Sequence, residues 1–274
     1  ITGSSEVAKV YGGSSIYGNA LGNTVTISDK SNVGEVDGGY SSYGNAEGNV
    51  VTITGSSEVG YVYGGYSFKN AKDNKVTING GSVTEVYGGV GNGGYATGNT
   101  VIINGGTVEI ATGGYSTGGN PTGNTVIING GQVDLAIGAY SEYKEVQGNE
   151  VIISNSTGEE HVGDVYASAT GSDNNLLNSN IVTWKDGDVQ GNIFGGALYA
   201  FDFSTGDSGF TPVENAGGIF NVYHSSGSSS KTIAEGKSIA GFDRMNFYLS
   251  GNVKAEDIII DNSAGNAVNM DGVS

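Results

Sequence analysis

Asn99-Thr100-Val101-Ile102-Ile103-Asn104-Gly105-Gly106-Thr107-Val108 contains the reading on which the fold turns. The Asn and its two apolar partners return as Asn23, Asn49, Asn74, Asn99, Asn124 and Asn149, each followed two and four positions later by Val or Ile. A period of 25 or 26 residues means a stack of equivalent units. Val25/Ile27, Val51/Ile53, Val76/Ile78, Val101/Ile103, Val126/Ile128 and Val151/Ile153 alternate with mostly polar neighbours. Each copy is therefore a short strand with one buried face, and helical solenoids are excluded.

A second strand-like phrase completes each period. Val59-Gly60-Tyr61-Val62-Tyr63-Gly64-Gly65-Tyr66-Ser67 and Val83-Thr84-Glu85-Val86-Tyr87-Gly88-Gly89 have relatives starting at Val7, Val33, Val108 and Val133. Two or three short strands with corners in one period predict an all-β fold, a right-handed parallel β-helix (β-solenoid) of about 25 residues per coil. Equivalent side chains then stack in ladders. The Asn sits at a corner with its amide turned inward, Val and Ile columns form the core, and the Gly pairs allow backbone angles or contacts that a Cβ would forbid.

We expect one body over residues 1–274, with regular coils over 1–198, a projecting insertion over about 199–217 and closing coils over 218–274. Regularity fades after Asn149; Ser154 to Asp164 carries an insertion, and the next copy is read at Asp173-Asn174-Asn175-Leu176. The period returns where Phe220, Val222 and His224 precede Met245, Phe247 and Leu249 by 25 residues. Ile1 to Val7 repeats Ile53 to Val59, so the chain begins in mid-repeat and reads as a fragment of a longer protein.

Composition narrows the function. With 50 Gly but only two Pro in 274 residues and no Gly-X-Y period, the chain is neither collagen nor a Pro-rich linker. The formal charge of −17 argues against nucleic acid, polyanion and anionic lipid partners and leaves cationic ones open. There is no Cys and hence no disulfide or thiolate chemistry. No apolar run is long enough for a spanning helix, so direct membrane insertion is not expected.

Two ladders are candidate contact surfaces. The outward position between each Val and Ile changes from Thr26, Thr52 and Thr77 to Ile102, Ile127 and Ile152, making an apolar stripe. Tyr40, Tyr66, Tyr115 and Tyr140 follow the Gly pairs, while Tyr11, Tyr63 and Tyr87 precede them. Stacked rings stabilise corners; exposed rings suit sugars or protein partners. Phe201 and Phe203 in the insertion are further contact candidates. Glu159-Glu160-His161 with Asp164 has the residue types of a metal site but no repeated ligand spacing, and a solvated acidic bulge explains it better. No cofactor or metal site is expected. No Gly-x-Ser-x-Gly elbow or phosphate-binding Gly loop occurs, and the only Arg is Arg244.

Gly-Asn-Thr-Val-x-Ile-x-Gly-Gly-x-Val, Val-Tyr-Gly-Gly-Tyr-Ser and Phe242-Asp-Arg-Met-Asn246-Phe-Tyr-Leu249 resemble passenger domains of bacterial autotransporters (type V secretion) over residues 1–262. The resemblance implies a β-helix displayed on the bacterial cell surface, outer-membrane-anchored through a C-terminal barrel beyond this chain, or else secreted. It implies a non-enzymatic adhesin or self-association (aggregation, biofilm) domain, with a host or bacterial surface protein, a glycan or a second copy as partner. The alternatives are a polysaccharide lyase or hydrolase and a purely structural stalk.

Overall fold

The computed structural model describes residues 1–154, 161–172, 176–201, 208–213, 216–225, 230–251, 253–254, 259–261 and 267–268. Every strand pairing among them is parallel except one, and no α-helix occurs. The chain is a β-solenoid of about 9 turns, with about 25 residues per turn in the regular part.

Three walls make each turn. The first carries the Val/Ile doublets, as in Thr24–Ile27 and Val50–Ile53. The second carries the Gly pairs and the tyrosines, as in Asn32–Ser41. The third is reduced to two residues, Ala20–Leu21, Ala46–Glu47, Ala71–Lys72 and Ala96–Thr97, which pair in a sheet of their own. In the middle of the stack the first two walls join, and Thr100–Ser116 runs unbroken around their corner. Gly106 turns that corner at φ +87, a left-handed conformation that Gly adopts without steric cost.

Register is the predicted one. Val25, Val51, Val76, Val101, Val126 and Val151 stand over one another, continued by Val182, Phe220 and Met245. The neighbouring inward column runs from Ile27 to Ile153 and then through Trp184 and Val222. Aromatic cores thus replace aliphatic ones: Trp184 and Phe220 are wholly buried, and Phe220 stacks on Phe242 at 4.9 Å.

The asparagines form a hydrogen-bonded ladder. From Asn23 to Asn149, each side-chain Nδ2–H and each backbone N–H donates to Oδ1 of the Asn one turn ahead, at 2.7–3.0 Å. From Asn49 onward the amide also donates to a carbonyl on the preceding turn, as Asn99 does to Ala71 at 3.0 Å. The ladder corrects one reading. After Asn149 the next rung is Asn180, 31 residues on, not Asp173–Asn175, which lies outside the described residues. Insertions lengthen this turn, and only an Asn preceding an inward pair, here Val182 and Trp184, can join the ladder.

Packing explains the Gly pairs. A Cβ on Gly113 would lie 2.3 Å from the Gly138 carbonyl oxygen, and one on Gly114 would lie 2.4 Å from Cγ of Asn124. Backbone passes backbone here at a separation that excludes a methyl group. The 199–217 insertion contains a hairpin: Ala197–Phe201 pairs antiparallel with Ser208–Pro212. His224 is buried, in phase with the inward Phe220 and Val222 of its strand.

Candidate functional site

On each turn the second wall presents three positions, two residues apart and then three across the Gly pair, so register decides which rings meet. One column reads Tyr40, Tyr66, Val90, Tyr115, Tyr140. Beside it a second reads Tyr11, Asp37, Tyr63, Tyr87, Thr112, Ile137, Tyr166, Phe194. A third reads Lys9, Glu35, Tyr61, Glu85, Ile110, Leu135, Asp164.

Rings within a column stack, with centroids 5.7 Å apart for Tyr40 and Tyr66, 5.4 Å for Tyr63 and Tyr87, and 5.4 Å for Tyr115 and Tyr140. Edge contacts join the columns, Tyr63 to Tyr66 and Tyr87 to Tyr115. Stacked partners cover each other's faces, so binding surface opens where a column skips a ring. Two hollows lie at such gaps. One of about 200 Å³ sits over Val90 between Tyr66 and Tyr115; one of about 300 Å³ sits over Thr112 and Ile137. A third, of about 300 Å³, adjoins the first beside Lys9, Glu35 and Tyr40. Tyr63 and Tyr66 line the first and third hollows, Tyr87 and Tyr115 the first and second, so the three adjoin in a row along the axis and make up a groove.

The hairpin closes one end of the groove. Its Tyr199 meets Tyr140 edge-on at 5.9 Å, and Phe210 packs on Tyr199 at 5.0 Å. Carboxylates border the rings: the Tyr87 hydroxyl donates to Glu85 at 2.6 Å and the Tyr115 hydroxyl to Glu142 at 3.0 Å. Burial first, then these carboxylates, hold both phenols well above their ordinary pKa. Tyr140 is pushed up to about 12, chiefly by burial. The rings remain neutral hydrogen-bond donors and acceptors across the physiological range.

At the other end Asp37 occupies a ring position between Tyr11 and Tyr63. It is fully buried and neither carboxylate oxygen accepts a hydrogen bond. Lys9 approaches it at 3.4 Å as an ion pair but is hydrogen-bonded to Glu35 and lies over the Tyr11 ring at 4.7 Å. Burial pushes the Asp37 carboxyl up to about 7, opposed by the Lys9 charge and reinforced by that of Glu35. Although burial works against it, the Lys9 ammonium is held above its ordinary pKa by bonds to Glu35 and Tyr11 and by the two carboxylate charges.

The four predicted tyrosines are thus brought together, all half-buried. Ile102, Ile127 and Ile152 also stack, in the first wall's outward column. They are half-buried and none lines the groove among its described residues. Phe201 is in the hairpin strand, and Phe203 lies outside the described residues, as do Glu159 and Glu160. His161 pairs with Asp134 at 3.4 Å, and no group of three metal-ligating side chains forms among the described residues.

Sequence reading missed Glu35, Glu85, Glu142, Tyr199 and Phe210. Glu85 stands two residues from Tyr87 within one strand, a spacing that puts side chains on one face, and Glu142 stands two residues from Tyr140, just past the end of its strand. That signal was present for the carboxylates; nothing local marked the hairpin rings. Compared with protein-family models, with curated proteins and with solved structures, the chain gives no match.

Proposed function

We propose that this chain is a non-enzymatic adhesive rod of the bacterial cell surface, and that its tyrosine groove captures an extended saccharide. The succession of three adjoining hollows along the solenoid axis carries the reading, because a row of sites crossing several turns suits a chain of similar units better than one compact molecule. The lining supports it chemically. Tyr offers an apolar face to a sugar ring and a hydroxyl to its polar edge, at small conformational cost on binding. Parallel turns roughly 4.8 Å apart make the backbone beneath a stiff support. The autotransporter-like phrases suggest the surface location.

Calorimetric titration with a panel of neutral, acidic and amino oligosaccharides tests this. Wild type is expected to bind at least one, and Tyr66→Ala/Tyr115→Ala to bind it about 10–100-fold more weakly, since stacking contacts of this kind are each worth about 0.5–1.5 kcal/mol. Circular dichroism should show an unchanged fold. No binding by wild type, or equal binding by the variant, would reject the groove; shortening of the bound oligosaccharide would point to the polysaccharide-cleaving alternative.

A further inference from the structure

The hollow at the hairpin end differs from the other two in charge and in the number of rings around it. Tyr87, Tyr115 and Tyr140 stand on the wall, while Tyr199 and Phe210 reach over from the hairpin. Glu85 and Glu142 also line it, and neither Lys nor Arg does. Its floor is Ile110, Thr112 and Ile137. The rings contact one another along this rim, at 6.2 Å from Tyr87 to Tyr115, 5.4 Å on to Tyr140 and 5.9 Å on to Tyr199.

The chemistry of this wall selects among ligands. An anion meets two carboxylates without a counter-charge. A neutral sugar gains ring contact but nothing from the charges. A small metal ion wants a shell of oxygen ligands, which a ring-lined hollow does not supply. An organic ammonium gains from both: ring faces attract cations by about 0.5–2 kcal/mol, and the carboxylates add Coulomb attraction. One phenol bonded to each carboxylate leaves acceptor capacity for an N–H donor, since a carboxylate has about four lone-pair sites. The raised phenol pKa values at Tyr87 and Tyr115, due first to burial and then to Glu85 and Glu142, agree with a negative local potential. The net charge of −17 adds long-range attraction of the same sign.

We propose that this hollow binds the protonated amine of an amino sugar, and so makes the groove selective for cationic saccharides. The inference rests on the saccharide reading of the groove. The cage is assembled only when the hairpin lies against the wall, so Tyr199 and Phe210 are selectivity residues supplied from outside the regular coils.

Titration of a glucosamine tetrasaccharide against its N-acetylated counterpart, in low salt at about pH 5, where the sugar amines are protonated, tests the proposal. Wild type should prefer the free amine by about tenfold or more, equivalent to about 1.4 kcal/mol. Glu85→Gln/Glu142→Gln should abolish the preference while retaining the weaker binding of the N-acetylated chain. Tyr199→Leu, which leaves the coils untouched, should reduce the preference and serves if the double variant does not fold. Equal binding of both saccharides by wild type, or a preference unchanged in either folded variant, would overturn the ammonium site while leaving the groove standing. Binding of neither would overturn the ammonium site, and the oligosaccharide panel would then decide the groove separately. Binding of tetramethylammonium without a preference between the saccharides would replace the amino sugar by a quaternary ammonium ligand.

Discussion

Asn99→Leu is expected to remove about 4–6 kcal/mol of stability, comparable with the lower end of the about 5–15 kcal/mol that a domain possesses. The wild-type side chain is fully buried and fully used. Its amide donates to Asn124 at 2.9 Å and to the Ala71 carbonyl at 3.0 Å. Its oxygen accepts from the Asn74 backbone at 3.0 Å and from the Asn74 amide at 2.9 Å. Leucine fits the volume but removes all four bonds without water to replace them. Asn124 Oδ1 keeps the Asn99 backbone N–H and the Asn74 amide keeps Ala46, while the Asn74 backbone N–H loses its acceptor. Each buried polar group left unpaired costs about 1–3 kcal/mol. Asn104 supplies the control. It joins a second Asn ladder through bonds to Asn79 at 2.8 Å and Asn129 at 2.9 Å, but it is exposed. Water replaces those bonds, so Asn104→Leu should cost within about 1 kcal/mol. Denaturant midpoints of the two variants decide; equal losses would mean that the inner ladder is incidental.

The second large effect is a pH dependence at Asp37. Its carboxyl is raised from 3.8 in the free chain to about 7 in the fold, so the folded state keeps the proton to higher pH. The folded state therefore binds more protons than the unfolded one between these limits, and the group's contribution to stability falls as pH rises. That contribution is most favourable below about pH 4, declines through the interval and is level above about pH 7. A shift of this size corresponds to about 4 kcal/mol. Asp37→Asn removes the ionisation, so variant and wild type should be alike in stability near pH 4, with the variant about 4 kcal/mol ahead near pH 8. Taking the difference between the two cancels the titration of other carboxylates. A difference that stays constant across this range would show that Asp37 is not the buried acid described here.

Parts of this architecture were legible because they repeat. Val/Ile doublets, the inner Asn and the Gly pairs each recur through successive periods, and each repeat has a physical requirement that one sequence displays many times over: an apolar core, a satisfied buried amide, a backbone approach too close for a Cβ. Tyr66 and Tyr115 were legible for the same reason. The hairpin at 197–212 was legible only as a break in the period. That Tyr199 lands on Tyr140 follows from the register Tyr140↔Ala169↔Ala197, which runs through turns of unequal length. The rung at Asn180 was obscured by the same insertions. Ile102, Ile127 and Ile152 form the column that was read, yet the groove lies on another wall, because it is the absence of rings at Val90, Thr112 and Ile137 that opens it.

Asp37 illustrates the remaining difficulty. In a column otherwise read as Tyr11, Tyr63 and Tyr87 it is a single exception, and sequence cannot tell an exposed replacement from a buried one. Its burial comes from the rings above and below, a property of the stack rather than of its own strand. Lys9 and Glu35 likewise acquire their roles only once the coils are superimposed.

All of this depends on successive windings lying directly over one another, and the chain has no cysteine of its own to confuse a cross-linking test. Thr52 and Thr77 are paired one turn apart, as are Thr77 and Ile102. Adjacent strands are about 4.8 Å apart, inside the Cα range of about 4.4–6.8 Å that a disulfide bridges, whereas Thr52 and Ile102, two turns apart, are separated by about 9.6 Å and lie beyond it. Under mild oxidation the Thr52→Cys/Thr77→Cys and Thr77→Cys/Ile102→Cys chains should close intramolecular disulfides, and Thr52→Cys/Ile102→Cys should remain reduced. Closure of the last pair, with the first two open, would contradict the stack.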